Sequence, residues 1–538
     1  MHDRQKTIFL AEKNAQAWCW AVIAAVLLLV APAALIAQSV DVPADYWGYR
    51  FLERAETNGW FSSLAMRTQP ISRRDFAAIL AQIQQHHARH HSLSTSDERL
   101  LNQLLIDFHD EQPQTGKESG RERHFLRVEE ENGQLYLDLL AKQSLIINRG
   151  GQYDPDQLLS ETMIGGILRG HLGNALGVYA DARNALTRGN VEVQDEDENF
   201  DTSQGSPVVV SGPNIFQDRA VAYLIWEKPW LRIKAGQDAL RWGPGQHGHL
   251  AVSSNMPPAT QIALSTRFKR FQFNSVHAFL QSSLGAKYLA GHRVDFCLSN
   301  NLYIGAAETV IYGNRDIELA YLNPLMLYHI AEHHLGDHDN NSLSIDFTLF
   351  ARPGVRLYGE WFIDDMTSTE PLLRFYGNKF AFLLGGMLSA PLGVQNLDLT
   401  CEYARIEPFV YSHYDSINIY THYDKIIGHW LGPNADSWYV CAGYQVGRDF
   451  RLEAFLERQR KGPGQADTVS QPESGTRKYF LHGTVENKQI AGFKATEQVR
   501  RDIFLALGYS AVWTDNAQRQ AGWNTTDHLV RFELMLNY

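Results

Sequence analysis

From about residue 134 to the C-terminus, apolar and polar side chains alternate along the chain with a period of two. The clearest stretch is SLSIDFTLFARPGVRLYGEWF (342–362), where every second residue is apolar on both sides of the turn at 351–354. Such alternation predicts β-strands with one apolar and one polar face. The segments run for about ten residues, which is the length that tilted strands need to cross a bilayer.

The connections between the predicted strands alternate between short and long. The short ones include EKPW, ARPG and GRD, whereas the long ones span 185–218, 237–259, 313–342 and 406–437. The chain ends on HLVRFELMLNY, whose apolar positions finish with the aromatic Tyr538, as the closing strand of an outer-membrane barrel does. A soluble β-sandwich would alternate as well, but these features together favour an all-β transmembrane barrel.

The pattern accommodates about eighteen antiparallel strands. An even number brings both ends of the barrel to one side, the periplasm in outer-membrane proteins, and a closed ring leaves no backbone edge unpaired in lipid. The segment at 124–131 has no clear place in this ring. The predicted strands lie near 134–145, 160–171, 175–184, 219–226, 231–236, 260–268, 271–280, 287–298, 302–312, 343–349, 355–362, 379–388, 397–405, 438–446, 450–458, 477–486, 500–513 and 528–538.

Residues 41 to about 110 follow a different pattern, with apolar residues at helical spacing. The segment VPADYWGYRFLERAETNG is bounded as a short helix should be. Ser72 and Asp75 form a near capping box for a second helix, and the leucines at 100–105 indicate a third. The sequence therefore predicts a small N-terminal α-helical bundle, followed by the polar linker EQPQTGKESGRER.

The N-terminal segment has the layout of a secretory signal peptide. Positively charged residues precede an apolar run from Ala17 to Ala37 that ends in small residues. A single membrane anchor is the alternative, because the run is nearly long enough to span a bilayer. The predicted organisation is a signal peptide at 1–37, a periplasmic helical bundle and linker at 38–118, and an outer-membrane barrel at 119–538.

Composition and short motifs narrow the function further. The net charge of −11 argues against a nucleic-acid-binding protein, and the phosphate-binding loop G-x-x-x-x-G-K-[ST] and the nucleophile elbow G-x-S-x-G are both missing. Cys297, Cys401 and Cys441 follow the signal peptide, and no C-x-x-C motif is present. The sequence leaves open whether Cys401 and Cys441 form a disulfide.

Several segments resemble the capsule assembly protein Wzi family. They are VPADYWGYRFLERAETNG with QPISRRDFAAIL, GQDALRWGPGQHGHLAVSSNMPP, LAYLNPLMLYHIAEHHLGDHDNNSLSIDF and EYARIEPFVYSHYDSINIYTHYDKIIGHWLGPN, in the family's order. The resemblance implies an eighteen-stranded outer-membrane barrel with a periplasmic helical bundle. It also implies a lectin-like, non-enzymatic role in which the protein holds capsular polysaccharide at the cell surface.

The segment EHHLGDHDN (332–340) concentrates side chains that ligate metals or move protons. Its spacing approaches the zinc motif H-x-H-x-D-H, but Leu335 stands where the second histidine is needed. An EF-hand loop that began at Asp337 would lack its Gly and Glu. A metal site would then need ligands from separate loops. No metal or cofactor is therefore expected. Because the segment ends a predicted outer loop, it is expected to bind glycan or to fill the barrel mouth, with these candidates: Glu332, His333, His334 and Asp337.

Two other predicted outer loops carry side chains that suit sugars. In RWGPGQHGH (241–249), a tryptophan stacks well on a sugar ring, and arginine and histidine bind hydroxyls or carboxylates. The alternative is a tight Gly-Pro-Gly turn with Trp242 packed inside. The aromatic loop at 411–430 suits either a carbohydrate surface or the girdle at the membrane interface. The candidates are Arg241, Trp242, His247, His249, Tyr411, His413, Tyr420 and His422.

Inward-facing charges are predicted to form ion-pair networks that satisfy one another and plug the lumen. They are Asp346, Arg356, Glu360, Glu402, Arg451 and Glu453.

The resulting hypothesis is an outer-membrane protein that binds capsular or extracellular polysaccharide and organises it at the cell surface. Its expected partners are that polysaccharide, outer-membrane lipid and lipopolysaccharide, and the polysaccharide export machinery through the helical bundle. It is expected to be a monomer and to bind no nucleic acid. A passive or plugged porin is the first alternative, and a barrel-borne hydrolase that uses the loop carboxylates and histidines is the second.

Overall fold

The computed structural model describes residues 39–111, 122–131, 133–173, 176–190, 207–211, 214–228, 230–367, 369–464, 466 and 477–537. Eighteen antiparallel strands close into a barrel, as the period-two pattern predicts. The ring closes where the last strand pairs with the first, with Asp527 opposite Gly150 and Asn537 opposite Leu140. The predicted signal peptide lies outside the described residues.

The wall strands follow one another around the ring in chain order. They are β1 (Gly133–Gly150), β2 (Tyr153–Leu172), β3 (Leu176–Gly189), β4 (Asn214–Lys228), β5 (Leu231–Asp238), β6 (Ala259–Arg267), β7 (Phe271–Leu280), β8 (Lys287–Ser299), β9 (Leu302–Gly313), β10 (Asn340–Arg352), β11 (Val355–Asp365), β12 (Lys379–Ser389), β13 (Leu397–Ile406), β14 (Ala435–Gln445), β15 (Phe450–Lys461), β16 (Glu486–Arg500), β17 (Ile503–Asp515) and β18 (Thr525–Asn537).

Two stretches of the sequence prediction need correction. The predicted strand at 477–486 is wrong, because this stretch forms turns and the wall strand begins only at Glu486. The segment at 124–131 contains the short strand Leu126–Glu130, which pairs with the first residues of β1. Since β18 pairs with the rest of β1 from Leu140 onward, this short strand continues the line of β18.

Among the described residues, four further short strands pair only with one another, and a fifth pairs with the wall. Thr68–Gln69 pairs with Arg241–Trp242, and Thr421–His422 pairs with Lys425–Ile426. The strand Pro207–Ser211 pairs with β4. Short 3₁₀ turns in the described part of the chain lie at Leu64–Arg67, His109–Glu111, Pro391–Gly393, Ser416–Asn418 and Ala517–Arg519.

Along each strand, successive side chains point alternately into the lumen and away from it. In β10, Ser344 and Asp346 are buried inside the barrel, whereas Leu343, Ile345 and Phe347 are exposed on its outer surface. The apolar positions of the sequence thus form the outer face of the wall, as expected for a barrel surrounded by lipid.

The N-terminal helices form the predicted small bundle, called the helical bundle below. It contains α1 (Gly48–Thr57), α2 (Arg73–His90) and α3 (Thr95–Asp107). Ser72 caps α2 by accepting the N–H of Asp75 at 3.1 Å, as the near capping box predicts. No helix in the described part of the chain is both long and apolar enough to cross a membrane.

The helical bundle packs against the end of the barrel at which short turns join the strands, called the turn end. Arg54 on α1 forms a buried ion pair with Asp398 at the start of β13. Asp41, just before α1, pairs with Arg232 and Lys234 of β5 at 2.8 and 3.1 Å. The bundle therefore covers the turn end, and the opposite end, which carries the long connections, is called the loop end.

The loops at 239–258 and 407–434 turn into the lumen and pack against each other. The Ser253 hydroxyl donates to the carbonyl of Gly428 at 2.6 Å, and the Tyr411 hydroxyl donates to the carbonyl of Leu250 at 2.8 Å. Both loops join inward-facing wall residues in one apolar cluster, which includes Leu250, Val276 and Phe362. The barrel thus has a packed hydrophobic core over this part of its interior.

Cys297, Cys401 and Cys441 are free thiols. In the register of β13 and β14, Cys401 lies opposite Val440 and Cys441 lies opposite Thr400. Residues directly opposite each other share a face, so the side chains of Cys401 and Cys441 point to opposite sides of the wall. The two cysteines therefore do not form a disulfide.

Candidate functional site

The inserted loop at 239–258 is held by two carboxylates of the wall. Glu360 on β11 accepts the backbone N–H of Gly245 at 3.1 Å and that of Leu250 at 2.7 Å. Its Oε1 also lies 3.3 Å from Nδ1 of His249. Hydrogen bonds to a charged acceptor in a water-poor interior are among the stronger ones in proteins.

Glu402 on β13 holds the middle of the same loop. It accepts the backbone N–H groups of Gln246, His247 and Gly248 at 2.7, 3.1 and 3.1 Å, and the Tyr358 hydroxyl at 2.8 Å. Both wall glutamates thus bind backbone N–H groups. The prediction that they join an ion-pair network is wrong, since among the described residues neither is paired with an arginine or lysine.

The glycines of RWGPGQHGH allow this close approach. Gly243 has a positive φ of 108°, and a Cβ at this position would overlap the carboxylate of Glu360. A Cβ at Gly248 would overlap the ring of His429 from the other inserted loop. The glycine-rich stretch is therefore explained by its attachment to the wall.

Three of the sugar-binding candidates in this stretch have restricted access. Trp242 is 1% exposed and packs near Gly291 of β8, so neither face of its ring is open to a sugar. His249 is buried, and burial, reinforced by Arg241, lowers its pKa well below the usual range, which keeps the ring neutral. His247 stacks on Tyr439 with ring centroids 3.9 Å apart.

Residues of the second inserted loop are also enclosed. Tyr411 and Tyr420 have no exposed surface. His422 accepts the N–H of Gln281 at 2.9 Å, and burial lowers its pKa to about 4. His413 is 9% exposed. Tyr411 and Tyr420 belong to the apolar cluster that fills the lumen and not to an aromatic girdle at the membrane interface.

A chamber of about 780 Å³ remains between the helical bundle and the wall, in the turn-end half of the barrel. Its lining brings together Arg50 and Glu53 of α1, Arg241 and His247 of the inserted loop, and Arg451 of β15. Arg241, a sequence-predicted candidate, lies 4.0 Å from Glu53. Arg241 and His247 both line this chamber.

The long connection between β9 and β10 does not enter the lumen. It forms α4 (Leu319–Leu322) and α5 (Tyr328–Leu335), together called the outer hairpin (314–339). Tyr321, Tyr328 and Ala331 pack on Ala290 and Val310 of the wall. In β9 the inward positions are odd-numbered, since Thr309 contacts the lumen residue Tyr420. Val310 therefore points outward, and the hairpin lies on the outside of the barrel.

EHHLGDHDN begins in the last turns of α5. Glu332 is buried, and burial raises its pKa to about 8, with Asp337 and Asp339 adding to the effect. His333, His334 and Asp337 are exposed at the loop end, and Nε2 of His333 lies 3.9 Å from Asp337. Within the described ranges, no three His, Cys, Asp or Glu side chains are grouped so that they could hold a metal ion.

The arrangement agrees with comparisons to known proteins. The family model for the capsule assembly protein Wzi matches residues 220–528, more than half of the chain. The chain belongs to the Wzi family. Among curated proteins, none matches it.

Solved structures are similar to this Wzi-family chain as well. One is Wzi of Escherichia coli, an outer-membrane protein involved in group 1 capsule assembly and a carbohydrate-binding β-barrel. The two share 16% identity with a TM-score of 0.60, over 93% of this chain and 100% of that one. OprD of Pseudomonas aeruginosa matches with 11% identity and a TM-score of 0.42, over 75% of this chain and 94% of that one. The first similarity supports the fold of this Wzi-family barrel.

Ion pairs in this Wzi-family barrel involve some of the predicted inward charges. Arg293 bridges Asp295 and Asp346 at 2.6 Å each, and Glu453 lies between Arg451 and Arg50 at 3.2 and 3.1 Å. Arg356, by contrast, donates to the carbonyl of Pro244 at 2.8 Å.

Sequence reasoning missed one important position of this Wzi-family barrel, Glu308. It lies on the outer face of β9, where a lipid-exposed carboxylate would be costly. It accepts the N–H groups of Tyr328 and His329 at 2.9 and 2.7 Å, and lies 3.0 Å from Nε2 of His292. The sequence does mark Glu308, because it is a charged residue at a position of the period-two pattern that is otherwise apolar.

Proposed function

We propose that this protein is an outer-membrane lectin-like barrel that binds capsular or extracellular polysaccharide at its loop end and helps to organise it at the cell surface. Membership of the Wzi family supports this function, because the family is named for capsule assembly. The related protein of Escherichia coli is a carbohydrate-binding barrel of the same fold. The proposed protein is a binding protein and not an enzyme.

The observation that carries the proposal is the filled lumen. The inserted loops are fixed to Glu360 and Glu402 and share an apolar core with the wall. A barrel filled in this way offers polar groups as a surface at its loop end, which suits holding a large polymer outside better than passing solutes through.

The exposed candidates at the loop end are His333, His334 and Asp337, with Tyr414 beside them. Tyr414 is 60% exposed, and its hydroxyl donates to the carbonyl of Asp337 at 3.2 Å. An open tyrosine ring beside hydrogen-bonding imidazole and carboxylate groups has the chemistry of a sugar-binding surface.

We further propose the orientation and domain roles that fit this function. The helical bundle, with its linker at 38–118, faces the periplasm and meets the export machinery on the side away from the barrel. The barrel at 119–538 spans the outer membrane among its lipids and lipopolysaccharide as a monomer. The segment at 1–37 directs export.

The test is binding of the purified full-length barrel, in detergent, to polysaccharide isolated from the surface of the parent strain. Replacing His333, His334 and Asp337 together by alanine is expected to weaken binding about ten-fold or more, since hydrogen bonds with charged groups contribute about 1.5 kcal/mol each or more. The matched control replaces His86, His90 and Glu98 of the helical bundle by alanine and leaves binding unchanged. Absence of binding by the parent protein, together with normal capsule in a deletion strain, would refute the proposal.

The chamber at the turn end is the observation that favours the second candidate, a passive porin. Its volume of about 780 Å³ would admit small solutes from that side. Planar-bilayer recordings distinguish the two functions: the lectin-like barrel gives no steady ionic conductance, whereas stable open channels would favour a porin.

A further inference from the structure

The outer hairpin covers a polar sector of the barrel's outer wall. On β8 and β9, the opposed pairs His292–Glu308, Ala290–Val310 and Tyr288–Tyr312 share the outward face. The hairpin packs on all three pairs, with the Tyr328 ring 4.5 Å from that of His292 and the Tyr321 ring 5.0 Å from that of Tyr312. Polar groups that would otherwise meet the surroundings of the barrel are thereby enclosed.

Glu308 is the anchor of this cover. Its carboxylate accepts two backbone N–H groups at the start of α5, and Asn341 of β10 donates to it at 3.2 Å. These bonds place α5 along the wall at the height of Glu308 to Tyr312, which is the loop-end half of β9. The hairpin therefore lies beside the wall, along the loop-end half of β9, and not above the end of the strand.

The opposite face of the hairpin is apolar and open. Leu319 and Leu325 are 76% and 83% exposed, and Leu327 and Ile330 are also exposed. Between residues 319 and 331 the chain has no Asp, Glu, Lys or Arg. An exposed apolar patch of this extent on a protein surface indicates contact with a partner or a membrane.

The neighbouring wall strand favours contact with a membrane over contact with a partner. The hairpin borders β10, whose outward residues Leu343, Ile345 and Phe347 belong to the apolar outer face of the barrel. In the register of β9 and β10, Leu343 lies opposite Glu308 and the other two lie closer to the turn end, so the exposed leucines adjoin the loop-end edge of that face. The charged residues of the segment come only at its ends, from Arg315 to Glu318 and from Glu332 onward, so no charge interrupts the exposed apolar face between them.

We propose that the outer hairpin is a lipid-contacting segment, in which the exposed leucines of 319–330 pack against the acyl chains of the membrane leaflet at the loop end. In this sector the membrane meets two short helices and not a β-sheet, and the helices shield the carboxylate of Glu308 from lipid. The inference rests on the membrane location in the proposed function but not on polysaccharide binding.

Site-directed spin labelling of the full-length barrel in phosphatidylcholine vesicles tests this inference. Cys297, Cys401 and Cys441 are first replaced by alanine, and single nitroxides are then attached in Leu319→Cys and Leu325→Cys. Ile345→Cys on the outer face of β10 is the lipid-exposed control, and Gln85→Cys on α2 is the water-exposed control. The two hairpin positions lie on the surface, so these variants are expected to fold normally.

The measured quantity is the ratio of a label's collisions with oxygen, which concentrates in lipid, to its collisions with a water-soluble nickel chelate. We expect this ratio to be several-fold higher for both hairpin labels than for the Gln85→Cys label, and equal to that of Ile345→Cys. Hairpin labels that match Gln85→Cys would overturn the inference, because the hairpin would then lie in water. Labels shielded from both reagents, with spin–spin broadening, would also overturn it, since a second copy of the chain would then cover the leucines. None of these readouts depends on polysaccharide, so failure of the proposed lectin function would be seen separately.

Discussion

The backbone N–H of Leu250 donates to Oε2 of Glu360 at 2.7 Å, so a carboxylate of the wall holds a residue of the inserted loop. Replacing Glu360 by alanine leaves two buried N–H groups without their acceptor. Since hydrogen bonds to charged groups contribute about 1.5–3 kcal/mol each, we expect the free energy of local opening at 245–250 to fall by about 3 kcal/mol. Hydrogen exchange of these amides, followed by mass spectrometry, measures the change.

The control for this variant is Glu533→Ala. Glu533 also faces the lumen, but its carboxylate lies beside Arg531 at 3.0 Å and does not contact the inserted loop. Exchange at 245–250 should be unaffected by this change. Equal acceleration in both variants would mean that loss of any inward carboxylate loosens the barrel, and that Glu360 has no specific hold on the loop.

Gly248→Ala is expected to strain the contact between the two inserted loops. The added Cβ would overlap the His429 ring, which has no room to move in a packed interior. Overpacking of this kind costs about 1–3 kcal/mol, so the thermal unfolding midpoint should fall. Gly447→Ala is the matched control, because a Cβ at Gly447 meets no atom within 4 Å. A midpoint that falls only in Gly447→Ala would contradict the packing described for the lumen.

Asp398→Ala is expected to loosen the helical bundle from the turn end. Arg54 would lose one of its two buried carboxylate partners and keep Asp97 at 3.1 Å. Removing one member of a buried ion pair costs about 3–5 kcal/mol. Because Asp97 still pairs with Arg54, we expect a loss of stability near the lower end of this range. Urea unfolding followed by tryptophan fluorescence, together with proteolysis of the bundle, reports the effect.

Arg50→Ala provides the comparison for that prediction. The Arg50 side chain is 55% exposed in its pair with Glu453, and exposed pairs contribute about 1 kcal/mol or less. We therefore expect a much smaller change in the urea midpoint. A larger effect of Arg50→Ala than of Asp398→Ala would show that the buried pair is not the main attachment.

The stability of the outer hairpin is expected to fall as pH rises. Burial raises the pKa of Glu332 to about 8, above its unfolded value of about 4.5. The folded hairpin therefore binds this proton more tightly than the unfolded chain does. Its contribution to stability is complete below about pH 4.5 and is lost as pH rises through about 8.

Hydrogen exchange of residues 319–335, corrected for the intrinsic effect of pH on exchange, tests this sign. Protection should fall between pH 4.5 and pH 8 in the parent protein and stay level in Glu332→Gln. Asp316→Asn, which removes an exposed charge from the same hairpin, should retain the parent's pH dependence. A flat profile in the parent protein would refute the assignment.

Much of the wall was predictable because its physics is local. Strands such as β10 and β11 must present apolar residues outward and polar residues inward, so their bounds can be read from the period of two. β16 was misplaced because its outward face, with Ala491, Phe493 and Ala495, is only weakly apolar. The preceding loop contains Tyr479, Phe480 and Leu481 and therefore resembled a strand more strongly.

The candidate site was far less predictable, since it depends on where long loops go. RWGPGQHGH and the aromatic loop at 411–430 have the composition of sugar-binding segments, but Trp242 and Tyr411 fill the lumen. Nothing local distinguishes a loop that folds inward from one that projects outward, because the partners lie on distant strands. His292 and Glu308 carry a signal in the sequence, as polar residues on an outward face, but that signal alone does not predict the hairpin that covers them.

The attachments of the helical bundle lie on opposite sides of the ring. Asp41 is fixed to β5, whereas Arg54 and Arg50 are fixed to β13 and β15, about half of the ring's circumference away. The bundle therefore acts as a cross-brace that ties two facing walls together and resists flattening of the barrel. A force applied to the bundle would therefore act on both of these facing walls at once.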